Sequence, residues 1–104
     1  MSLMKVFGCR LLFPDQPVID YPVLLEELRK YYHQVEAIGN TLFNVADDVT
    51  SAQYVIMPAV SVGEKGQYEM LVNDVMGDES REAAFRQFME VIVGVVRPGE
   101  VCWL

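Results

Sequence analysis

QYVIMPAVSVGEKGQYEMLVNDVM, residues 53–76, is the stretch on which the fold reading turns. Two runs rich in valine, isoleucine and tyrosine flank Gly63-Glu64-Lys65-Gly66. That is the composition of two long strands, Gln53–Val62 and Gln67–Met76, joined by a hairpin turn. Pro58 cannot donate to a ladder, so its strand lies at an edge or is bulged there. Closing the loop in strict register pairs Val62 with Gln67, Val60 with Glu69 and, at the far end, Val55 with Asp74. One face of the hairpin then collects Val55, Met57, Ala59, Met70 and Val72. The other carries Tyr54, Ile56, Val60, Leu71 and Val75, diluted by Gln67, Glu69 and Asn73. A half-exposed antiparallel sheet ordinarily alternates apolar and polar sides. This hairpin reads as apolar on both.

Upstream, Gln34 to Ile38 and Thr41 to Ala46 form a second strand pair around Gly39-Asn40, a Gly-first loop suited to a type II′ turn. Before them Tyr21, Leu24, Leu25, Leu28 and Tyr32 recur at helical spacing, with Asp20 as N-cap and Pro22 in the first turn. A first strand, Met4 to Phe13, is stopped by Pro14-Asp15-Gln16-Pro17. Downstream, Asp78-Glu79-Ser80 opens a second helix whose buried stripe is Phe85, Phe88, Met89, Ile92 and Val96. Pro98-Gly99 ends that element, and Val101 to Leu104 forms a short closing strand. The order β-α-ββ-ββ-α-β predicts an α+β domain, two helices packed on one face of a mainly antiparallel sheet. It resembles the ferredoxin-like plan in architecture alone, with four strands rather than two between the helices. Such folds host many unrelated functions.

Composition sets the remaining bounds. A chain of 104 residues reads as a single domain over residues 4–104, with Met1-Ser2-Leu3 an expression-vector remnant ahead of a second methionine. At 11.8 kDa, scaling gives about 5,900 Å² of folded surface against about 17,100 Å² unfolded, enough burial for a core without staples. Hydrophobic residues make up 52% and charged residues 22%, which excludes a disordered chain. The net charge of −7, with the eight basic residues scattered, argues against nucleic acid or an anionic membrane as partner. No run approaches the ~20 apolar residues of a membrane span, and no secretory leader is visible at the start. Cys9 and Cys102 lie at opposite ends and form no disulfide framework, so the expected location is cytoplasmic.

No motif for catalysis, metal binding or a cofactor emerges. Cys9 and Cys102 approach each other if the first and last strands are neighbours, but neither has an activating cation or helix N-terminus, and both read as buried structural thiols. His33, the single histidine, follows the first helix and fits a helix-terminal role. Asn73, Asp74, Asp78 and Glu79 gather around Gly77, and Asp47-Asp48 form another acidic pair. Neither has EF-hand spacing, and both sit where turns favour aspartate. The Gly63–Gly66 string matches the GxxG of KH domains, but here it joins strands and contains a glutamate that opposes phosphate.

The apolar second face of the hairpin is the strongest remaining signal. Two helices cover one side of a sheet, so the face bearing Tyr54, Ile56, Val60, Leu71 and Val75 needs another cover. A second copy of the chain is the most economical one, and a sheet that curls enough to bury both faces is the alternative. The expected function is a non-enzymatic binding domain that forms a homodimer through its sheet. Two other readings remain open. One is a small-molecule-binding protein or enzyme with a pocket between sheet and helices, tipped by Tyr31, Tyr32, Tyr54 and Tyr68. The other is an acidic antitoxin-like or immunity-like partner protein.

Overall fold

In the computed structural model, residues 7–39, 42–49, 52–63, 66–75 and 82–103 are described. The expected remnant and strand start at residues 1–6, Asn40-Thr41, Glu64-Lys65, Met76, Gly77, the Asp78-Glu79-Ser80 cap and Leu104 lie outside them. The described elements are β1 (Phe7–Phe13), α1 (Tyr21–Tyr31), β2 (Gln34–Ile38), β3 (Leu42–Asp47), β4 (Ala52–Ile56), β5 (Val60–Val62), β6 (Gln67–Asp74), α2 (Glu82–Val96) and β7 (Glu100–Trp103). The sheet runs β2-β3-β4-β6-β1-β7, with β5 paired to β6 beyond the end of β4, and every pairing is antiparallel. The chain is therefore an α+β fold, as its patterning predicts. Among the described residues no helix is long and apolar enough to cross a membrane.

Both helices form for reasons written in their sequences. Asp20 caps α1 by accepting a hydrogen bond from the Val23 amide at 3.2 Å, and Pro22 occupies the first turn, where no donor is lost. Arg29 and Lys30 fall in the last turn, opposite the negative end of the helix dipole. Leu24 and Leu28, one turn apart, are fully buried. In α2 the stripe Phe85, Phe88, Met89, Ile92 and Val96 is buried as its spacing requires. The C-terminus of α2 is less comfortable. Arg97 follows at φ 49° and its amide bonds to the Val93 carbonyl at 3.0 Å, a left-handed ending usually reserved for glycine.

One expectation is corrected in the long hairpin. Residues 53–62 are not one strand, because Met57-Pro58-Ala59 interrupt them. Near the loop the strict register holds: Val60 pairs with Glu69, Ser61 with Tyr68 and Val62 with Gln67. Past the interruption it slips by one, so Val55 meets Asn73 instead of Asp74, and Ile56 meets Val72. Pro58 has no N–H to give, and the extra residue is taken up around it as a bulge. The Met57 amide still reaches the Leu71 carbonyl at 2.8 Å, so the ladder loses little. A one-residue slip exchanges faces. Tyr54 and Ile56 therefore join Met70 and Val72 under the helices rather than Val60 and Leu71 on the other side.

That covered face is the core. One row crosses it from strand to strand: Trp103, Cys9, Val72, Ile56, Phe43 and Ala37. Above these residues lies an aromatic cluster. The Tyr54 ring stacks on Phe88 at 4.0 Å, and Tyr32 meets the edge of the same phenylalanine at 5.4 Å. Tyr21 does the same for Phe43 at 6.1 Å. Ring pairs of this kind add to the stabilisation from burial alone.

Phe88 is wholly buried and central to that cluster. Phe88→Ala is expected to lower the unfolding free energy by about 3–5 kcal/mol in denaturant melts, whereas a loss below about 1 kcal/mol would contradict its central position. The opposite sign is expected at the end of α2. A left-handed residue with a side chain carries a cost of about 1–2 kcal/mol that glycine escapes, partly offset by glycine's freer unfolded chain. Arg97→Gly is therefore expected to raise the melting temperature, and a decrease would contradict the strained ending.

Candidate functional site

The face of the sheet away from the helices is open. Register places a second set of rows there. Cys102, Arg10 and Leu71 are consecutive cross-strand neighbours, and Leu42 and Ile38 continue the row on the far side of the bulge. Met57, 40% exposed, stands in the gap through its bond to Leu71. Flanking rows hold Asn73, Val55, Asn44 and Glu36 on one side, and Glu100, Leu12, Glu69 and Val60 on the other. The result is a mixed surface with an apolar stripe. Leu12, Leu42, Val55 and Leu71 are half-buried by their neighbours, while Ile38, Val60 and Val75 are about half exposed at 47%, 53% and 45%.

Within the stripe sits one ion pair. Arg10 Nε and Nη2 donate to Glu69 Oε1 and Oε2 at 2.7 and 3.0 Å, a two-point contact between neighbouring strands. The Arg10 hydrogen bonds and charge hold the Glu69 carboxyl below its ordinary range, and those bonds in turn raise Arg10. The pair satisfies itself within one chain. The pair therefore adds no net charge of its own to this face, whose remaining acidic groups, Glu36 and Glu100, stand at the ends of the flanking rows on the outer strands.

The structure divides the five residues that the sequence groups together. Val60, Leu71 and Val75 are on the open face. Tyr54 and Ile56 are core residues at 1% and 0% exposure, moved there by the slip at Pro58. In their place the open face presents Leu12, Ile38, Leu42 and Val55. Alternation in 42–46 contained part of this signal, since Phe43 and Val45 are buried and Leu42, Asn44 and Ala46 are not.

The chemical candidates do not converge. Tyr31 is exposed on the outer side of α1, Tyr32 and Tyr54 belong to the ring cluster, and Tyr68 lies opposite Ser61 at the far end of β6. Burial, with a smaller contribution from the Asp47 charge, pushes the Tyr32 hydroxyl up to about 12. Asn73 faces the open side and Asp74 is buried on the other, so the acidic turn is split at its first two members. Asp47 Oδ1 accepts from the Val49 amide at 2.9 Å, the local turn bond expected of an aspartate there. His33 is exposed beside β2 and helps line a shallow concavity of about 550 Å³ with Gln34, Asn44 and Gln53. Among the described residues no group of three or more His, Cys, Asp or Glu side chains is placed to hold a metal ion.

The thiols are separated as well. β1 and β7 are neighbours, but Cys9 pairs with Trp103 and Arg10 with Cys102, which puts the two sulfurs on opposite faces. Burial, followed by the neighbouring Cys102, pushes the Cys9 thiol up to about 11. Cys102 is only half-buried, which corrects the expectation that both are inaccessible. In native thiol titration Cys102 is expected to react first and Cys9 only on unfolding. Equal rates, or a Cys9–Cys102 disulfide in the folded protein, would contradict this placement. No family model, curated protein or solved structure is significantly similar to this chain.

Proposed function

We propose that this chain is a non-enzymatic, cytoplasmic interaction domain that self-associates through the open face of its sheet. One observation carries the reading: the stripe of Leu71, Met57, Leu42 and Ile38, with Leu12, Val55, Val60 and Val75 beside it, has neither helix over it. A solvated sheet face is expected to alternate with polar residues. Contiguous exposed apolar surface on a small domain marks an interaction site. Two such faces pack at about 10 Å separation with strands inclined by about 30°, which suits a twisted sheet meeting its own copy. The Arg10–Glu69 pair enters such an interface already neutralised. A core filled by packed rings, with Tyr32 and Tyr54 taken up in that cluster and Tyr31 and Tyr68 away from it, favours this reading over a ligand pocket between sheet and helices.

A specific interface of this kind buries about 1,200–2,000 Å² in total. Leu71→Lys places an unpartnered charge at its centre and is expected to remove several kcal/mol of association. Ile56→Lys, on the covered face, is expected to unfold the chain instead. Light scattering and circular dichroism separate the outcomes. A dimeric parent and a folded, monomeric Leu71→Lys protein are expected. A parent that remains monomeric at tens of micromolar, or a Leu71→Lys variant that dimerises as the parent does, would overturn the proposal.

A further inference from the structure

A second exposed apolar surface lies on the far side of the sheet, along the seam between α1 and α2. Asp20 of the α1 cap and Arg97 beyond α2 line one hollow of the seam, and Tyr31 and Ala84, from the opposite ends of the two helices, line the next, so the helices run antiparallel. Near the Asp20 end the seam opens into a hollow of about 650 Å³ floored by Val23, Val91 and Val95. Past Tyr31 and Glu90 it continues into a second hollow of about 700 Å³ bordered by Asp47 and Val49. Three of its apolar residues stand well into solvent: Tyr31 at 65%, Val49 at 93% and Val23 at 40%. Together the hollows form one trough along α1, whose eleven residues span about 16 Å.

Charge decides what this trough accepts. Among the described residues that line it, Asp20, Glu27, Asp47 and Glu90 outnumber one cation, Arg97. Lys30, 2.6 Å from Glu27, offsets one of the four. Asp20 and Asp47 accept hydrogen bonds from the backbone amides of Val23 and Val49, and Glu90 stands where the two hollows meet. A second copy of this chain would bring the same carboxylates to the seam, and an anionic lipid surface would bring phosphates, so both are repelled. We infer that the α1–α2 trough docks a basic amphipathic helix of a partner protein. Its apolar side chains rest on Val23, Tyr31, Val91 and Val95, and its lysines or arginines face Glu90, Asp20 and Asp47. Three to four i, i+3, i+4 anchors suffice for a helix laid into a groove of this length. This docking is independent of the open sheet face.

Titration of isotopically labelled full-length protein with a synthetic leucine–lysine amphipathic helix, followed by NMR shifts, tests the inference. A leucine–glutamate helix of the same pattern serves as control. The expected result is shifts confined to α1 and α2, weaker binding in added salt, and no binding of the glutamate peptide. Glu90→Lys, at an exposed position, is expected to weaken binding by about tenfold, since a contact between opposed charges becomes a repulsion. Tyr31→Ala is expected to weaken it also, because the floor as well as the charge contributes. Shifts centred on the open sheet face would overturn the inference, as would affinity that ignores Tyr31 and follows net charge alone. So would an absence of binding, or self-association of the unliganded protein that Glu90→Lys alters.

Discussion

Pro58 has no amide hydrogen, and the arrangement of the sheet depends on how the chain deals with that lack. A strand that held strict register from the Gly63–Gly66 loop to its far end would put Tyr54 and Ile56 beside Val60 and Leu71. The extra residue taken up at Met57-Pro58-Ala59 exchanges them across the sheet. Tyr54 then stacks on Phe88, Ile56 fills the row between Phe43 and Val72, and α2 has a floor to sit on. Beyond the bulge, β5 pairs with β6 alone, and its Val60 is left half exposed. One backbone donor therefore decides which apolar residues build the core and which are left for another purpose.

What is left follows from coverage. The two described helices, of eleven and fifteen residues, fit side by side over one face of the sheet. Neither side of that sheet is wholly polar. The covered side has a complete apolar row, and the open side has a stripe divided by Arg10–Glu69 and by the amides of Asn44, Asn73 and Gln53. This intermediate character suits a surface that is wetted in the free chain and buried in an assembly. Protein interfaces as a whole are about as apolar as ordinary surface, and polar groups within them are tolerated when already satisfied.

Much of this was legible in the residues. The helices follow from the periodicity of Leu24 and Leu28 and of Phe85, Phe88, Met89, Ile92 and Val96, and from a capping aspartate placed before a proline. Glycines with positive φ at Gly39 and Gly63 stand where the turns were expected. Pro58 was readable as an edge or a bulge, and the structure makes it both. The assignment of faces was not readable, because alternation carried across a bulge inverts beyond it. A single added residue moves Tyr54 from a proposed interface into the core. Strand order was hidden too, since it is fixed by long-range packing between residues as distant as Cys9 and Val72. The trough between the helices depends on which sides of α1 and α2 meet, and periodicity alone reports only the buried stripe.

Self-association through the open face is tested most directly by isotope-filtered NOE spectroscopy on a sample mixed from labelled and unlabelled chains. Contacts between chains are then observed separately from those within one. The predicted result is intermolecular NOEs among the methyl groups of Leu71, Met57, Leu42 and Ile38, with none from the buried methyls of Ile56 and Leu28. Intermolecular NOEs arising from α1 and α2 instead, or a sample with no intermolecular NOEs at millimolar concentration, would contradict it.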